Sequence, residues 1–129
     1  MSFTVDNTKI YEKKGVLLKK LVEFLEGEGN NLKLAEIMKS KGTLHSKKLD
    51  FSELIRIAGP EENMKYKIDQ RIFEEKINKM VESINKGWEP APLIVWDTIE
   101  GLTIADGSHR IEALRKLGFK SYLCIIWKD

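Results

Sequence analysis

The chain has 129 residues, which suits a single domain able to bury a core without metal or disulfide staples. With 42% hydrophobic and 33% charged residues and a net charge of +2, the composition is that of an ordinary soluble protein, and the charge alone does not mark a nucleic-acid binder. Cys124 is the single cysteine, which excludes an intrachain disulfide, and the Cys, His and acid spacing carries no zinc pattern. No apolar run is long enough for a bilayer, and Met1–Ile10 is too polar for a signal peptide. A cytoplasmic chain without membrane contact is therefore expected.

The charge is uneven. Residues 1–50 carry ten lysines against seven acids, so the first segment is mildly basic. Phe3 and Val5 alternate with polar residues, too briefly to define an element. Leu17, Leu18, Leu21, Val22 and Leu25 form one helical stripe between Val16 and Glu26. Gly27, Gly29, Asn30 and Asn31 break it, and a second helix is expected from about Leu32 to Ser40, closed near Gly42. Phe51, Leu54, Ile55 and Ile57 suit a strand that ends at Gly59 and Pro60. The strongest helix signal runs from Gln70 to Lys86, with Phe73, Ile77, Met80, Val81 and Ile84 on one face, Asp69 as N-cap and Gly87 as the stop. Pro92–Trp96 and Leu102–Ala105 read as a hairpin. A helix is expected over Ser108–Leu117. Tyr122–Trp127 reads as a strand covered on both faces, with Cys124 as core packing. From Asp50 onward the order is strand, helix, strand, strand, helix, strand. An α/β (α+β) fold follows: a small mixed sheet with helices over residues 50–129, preceded by a helical extension over residues 1–49.

Asp106, Gly107, Ser108, His109 and Arg110 stand at the junction between the last hairpin strand and the helix after it. A helix N-terminus offers unpaired amides and a partial positive charge. Gly107 lets the backbone approach a ligand, and Arg110 and His109 add side-chain donors. Together they form a candidate phosphate site. The plain alternative is a capped turn, with Asp106 or Ser108 as N-cap. That alternative gives no reason for two basic residues where the helix dipole disfavours cations.

The box "DGSHRIEALRKLG", preceded by a helix and the "PLIVW…LTIA" hairpin, resembles the ParB/sulfiredoxin-like superfamily over about Asp50–Asp129. Members use this box to bind nucleotide phosphates. Sulfiredoxins carry a catalytic cysteine before the His-Arg pair; Ser108 stands there, so sulfinic-acid reduction is not expected. Partition ParB proteins have a box more like Gly-Glu-Arg-Arg, followed by a helix-turn-helix that is not expected in a chain ending at Asp129. The box is most similar to the Asp-Gly-His-His-Arg of free-serine kinases, whose catalytic Glu follows the first strand, where Glu61 and Glu62 lie here.

The resemblance implies a nucleotide partner: ATP or ADP, or CTP, held by Gly107, Ser108, His109 and Arg110. A phosphotransferase of this kind would use Glu62, or else Glu61, to take the proton of a small hydroxyl substrate, and Asp106 to orient that substrate or Mg2+. The alternative is a regulatory module of ParB type that binds nucleotide without turnover. A third reading has DNA bound by the N-terminal segment, with Lys39, Lys41, Lys47 and Lys48 on phosphates and a helix near Leu44–Leu49 in a groove. A helical hairpin packed on the core is the preferred reading of that segment. His45 is expected at the surface and the three tryptophans at the core or its edge, with Trp88 as a candidate wall of the nucleotide pocket.

Overall fold

A computed structural model describes residues 3–40 and 42–128. Helix α1 (Val5–Lys13) starts at Thr4, whose hydroxyl accepts the Asn7 amide at 3.1 Å. Helices α2 (Leu17–Glu26) and α3 (Leu32–Ser40) form the expected hairpin. Leu21, Leu25, Ala35 and Met38 face inward, and the Asn31 side chain caps α3 by accepting the Leu34 amide at 3.2 Å. Strand β1 (Thr43–Asp50) follows, then a 3-10 turn (Phe51–Glu53) and the two-residue strand β2 (Leu54–Ile55). Strands β3 (Ala58–Gly59) and β4 (Tyr66–Lys67) pair in parallel and close the loop between them. Helix α4 (Gln70–Asn85), strands β5 (Leu93–Thr98) and β6 (Gly101–Asp106), helix α5 (Ser108–Lys116) and strand β7 (Ser121–Lys128) complete the described chain.

The main sheet has the order β1-β7-β5-β6-β2. Strand β7 is antiparallel to β1 and parallel to β5. Its residues Tyr122–Trp127 are all buried, and the two faces feed different layers. Ile125 and Trp127 pack with Leu21, Leu25 and Met38 of the helical hairpin. Tyr122, Cys124 and Ile126 pack with Ile111 and Leu114 of α5. Helix α4 lies outside α5, with Phe73 and Ile77 against Ala113. The layers run hairpin, sheet, α5, α4. Cys124 sits in the core as expected, and burial pushes its thiol up to about 12.

Three local expectations are corrected. The Val5–Lys13 helix has only Thr8 and Tyr11 buried, too few to print a stripe in the sequence. The Leu44–Leu49 segment is a strand instead of a DNA-reading helix: it pairs in register with β7, and Glu12 seals its outer edge by accepting the Ser46 amide at 2.7 Å. This strand crosses the position where the helical extension was expected to end. The strand expected over Phe51–Ile57 is interrupted by the 3-10 turn, because Asp50 and Glu53 form a reciprocal cap there. Lys41 lies outside the described residues. Among those described, no helix is long and apolar enough to cross a membrane.

Ile125 is fully buried in the strand that joins the two cores. Ile125→Ala should cost about 2–5 kcal/mol of stability, the range for a buried aliphatic truncated to alanine. Urea unfolding monitored by tryptophan fluorescence checks this.

Candidate functional site

Strand β6 carries an irregularity just before the box. Val95 pairs with Ile104 and Ile94 pairs with Asp106, leaving Ala105 without a register partner. Such a bulge turns the strand end and re-aims its side chains. Gly107 then takes φ +121°, a conformation closed to most other residues, and a Cβ there would stand 2.8 Å from Leu93 Cδ2. Helix α5 starts at once.

Its N-cap is Gly107, not Asp106 or Ser108, and no side chain caps the helix. The first helical bond runs from the Ile111 amide to the Gly107 carbonyl at 2.9 Å. The amides of Ser108, His109 and Arg110 precede that bond.

A cavity of about 550 Å3 opens at this mouth, within the usual size of a small-molecule site. Asp106, Gly107, His109 and Arg110 line it together; Ser108 is buried beside them. Phe24 and Glu28 enter from the helical hairpin, Lys76 and Met80 from α4, and Trp88 and Glu89 from the loop after α4. Trp88 does wall this pocket and remains 42% exposed. The hairpin residues and Lys76 were not foreseen, because nothing in local spacing shows which helix ends meet the box. Lys76 lies one turn from both Phe73 and Met80, and that helical spacing is its only sequence signal.

Arg110 is 9% exposed. Its Nη2 donates to the Pro92 carbonyl at 3.1 Å and the Asp106 carbonyl at 3.3 Å, and lies 3.9 Å from Asp106 Oδ2. Burial lowers its pKa, and Asp106 opposes that shift. Burial raises the Asp106 pKa, with Arg110, the Asn31 side chain and the Gly107 amide pulling the other way. The His109 ring lies 4.8 Å from the Phe73 ring. Burial, then Lys76, Arg110 and Arg56, hold the imidazole below its ordinary pKa. Among the described residues, three buried side-chain polar atoms have no hydrogen-bond partner: Asp106 Oδ2, His109 Nε2 and Arg110 Nε. Orphaned polar atoms of this kind are costly to bury, and here they belong to three residues of one cavity wall.

Glu61 and Glu62 are not brought into this cavity. Glu61 pairs with the Arg56 guanidinium, whose Nε also meets Glu112 Oε2 at 3.2 Å. These residues line a second groove of about 360 Å3. Phe73, which lines that groove, separates it from His109 on the other side. Glu62 is exposed and lines neither space. Among the described residues, Asp106 belongs to no group of three His, Cys, Asp or Glu side chains able to hold a metal.

The lowered His109 pKa fixes a sign. The unfolded chain takes up the imidazole proton first, so stability falls as pH drops through about 6.5 toward the folded-state value. Between about pH 7.5 and about pH 5.5, the window in which histidine titrates, the wild type should lose more stability than His109→Gln. Urea midpoints at the two pH values measure the difference.

No family model matches the chain, and no curated protein matches it. Among solved structures, it is similar to a sulfiredoxin from Arabidopsis thaliana, at 22% identity and a TM-score of 0.48, over 66% of this chain and 86% of that one. A conserved hypothetical protein from Pyrococcus furiosus is similar at 20% identity and a TM-score of 0.46, over 64% of this chain and 32% of that one. A Pnob8-like ParB-N domain is similar at 18% identity and a TM-score of 0.45, over 70% and 31%. The chain spans about a third of the length of these last two. The small mixed sheet with helices that the sequence predicts is the architecture observed.

Proposed function

We propose that the cavity at the mouth of α5 binds the phosphates of a nucleotide such as ATP, ADP or CTP. The observation that carries this reading is the pair of buried, unpartnered nitrogens, His109 Nε2 and Arg110 Nε, beside an uncapped helix N-terminus. An anion there would meet backbone amides, the helix dipole and two side-chain donors together. Lys76 adds a positive charge to the cavity lining, and Trp88 and Phe24 offer apolar surface for a base.

Arg110 plays a double role in this reading. Its Nη2 is already held by two carbonyls, so only the Nε side remains for a ligand. His109 and Lys76 are therefore the cleaner positions to test.

Phosphoryl transfer would ask more of the site. It needs a base facing the terminal phosphate, and both acids suggested for that role lie outside the cavity, Glu61 in an ion pair with Arg56. The geometry supports nucleotide binding ahead of turnover.

Calorimetric titration with ADP and ATP tests the proposal. His109→Ala should weaken binding by about 1.5–3 kcal/mol, the value of a hydrogen bond to a charged group. Lys76→Ala should weaken it less and flatten its dependence on salt. Unchanged affinity in the double variant would remove the cavity as the nucleotide site.

A further inference from the structure

A different cavity, of about 390 Å3, lies between α1, β1 and the start of β7. Lys9 comes from the helix, Lys48 from the strand and Lys120 from the residue before β7, and all three line it. Lys48 stands opposite Leu123 in the β1/β7 register, so the strand pairing itself fixes one lysine over the pocket floor. Val5 and Leu123 make that floor apolar, and no carboxylate lines the space. None of the three lysines is in an ion pair among the described residues. Of the nearby acids, Asp50 is attracted by the Lys120 charge, although its hydrogen bonds are made to the following turn. Asp50 Oδ1 accepts the Ser52 amide at 2.9 Å and the Ser52 hydroxyl at 2.8 Å. Glu89 accepts the Val5 amide at 3.2 Å.

Phe119 completes the site. Its amide is fixed on the Leu114 carbonyl at 3.0 Å, and its ring packs edge-on with Tyr122 at 6.0 Å. Even so, the ring is 42% exposed beside the lysines. A solvated lysine cluster does not need an aromatic held at its rim. Three ammonium groups around an apolar floor, with one anchored ring, match a backbone of phosphates whose bases can stack.

We propose that this cavity binds a segment of single-stranded nucleic acid, with its phosphates on Lys9, Lys48 and Lys120 and a base against Phe119. The site is separate from the α5 mouth, and the proposal does not depend on nucleotide binding there.

Fluorescence anisotropy with a labelled octathymidylate tests it on the full chain. The logarithm of affinity should fall against the logarithm of salt with a slope of about −2, the value for three phosphates neutralised on a single strand. Lys48→Ala should reduce that slope by about 0.7. Phe119→Ala should weaken binding by about five-fold to a hundred-fold, the usual weight of one stacked base. Lys67→Ala, at an exposed lysine that lines neither cavity, should leave the affinity unchanged. The four pocket side chains are exposed, and thermal melting followed by circular dichroism confirms that each variant folds. Three results would overturn the proposal: no difference between the wild type and the triple lysine-to-alanine variant, equal affinity for a duplex of the same length, or a loss of binding in Lys67→Ala as large as in Lys48→Ala.

Discussion

The mouth of α5 depends on one buried guanidinium. Arg110 ties the carbonyl just ahead of β5 to the carbonyl at the end of β6, while its own backbone forms the first turn of the helix. Burial disfavours that charge, and so does the positive end of the helix dipole. Two carbonyls and the Asp106 carboxylate at 3.9 Å offset part of the cost. The offset is incomplete: Arg110 Nε and Asp106 Oδ2 both remain without a hydrogen-bond partner. An arrangement serving only to cap the helix would have placed a side-chain acceptor at its first amides, and none is there. In the proposed reading, an anionic ligand supplies the other half of the interaction that this cation begins.

The layers of the fold converge on this point. Gly107 can turn sharply because it lacks a Cβ, and Leu93 fills the space a Cβ would need. The bulge at Ala105 sets the direction of the strand end. Phe24, Lys76 and Trp88 reach the same cavity from three separate segments. On the far side of His109, the rings pass from Phe73 to the Arg56 guanidinium, which lies 5.1 Å from the Phe73 centroid. Arg56 in turn holds Glu61 and Glu112. His109 therefore stands between an open cavity and a closed ion-pair cluster, and its lowered pKa reflects burial first and the cations on both sides second.

The central elements were legible because burial writes itself into sequence. Strand β7 is apolar throughout because both faces are covered, and α4 shows its stripe because only one face is. The elements that escaped notice have little burial to show. Helix α1 buries Thr8 and Tyr11, and β1 buries only Leu49; backbone pairing and the Glu12 contact hold what side-chain pattern does not announce. The box residues were legible as a group, and four of the five line one cavity. Their division of labour was not legible. Sequence could not show that Arg110 turns back onto carbonyls, or that Arg56 draws Glu61 into another groove, since both depend on contacts between distant segments.

The central claim is that an anion completes the mouth of α5. Its most direct test is a proton–nitrogen correlation spectrum recorded as ADP is added. The account predicts that the amide signals of Gly107, Ser108, His109 and Arg110 move together with the His109 imidazole, and that inorganic phosphate moves the same group at higher concentration. Shifts confined to other regions, or a spectrum unchanged at saturating ADP, would contradict it.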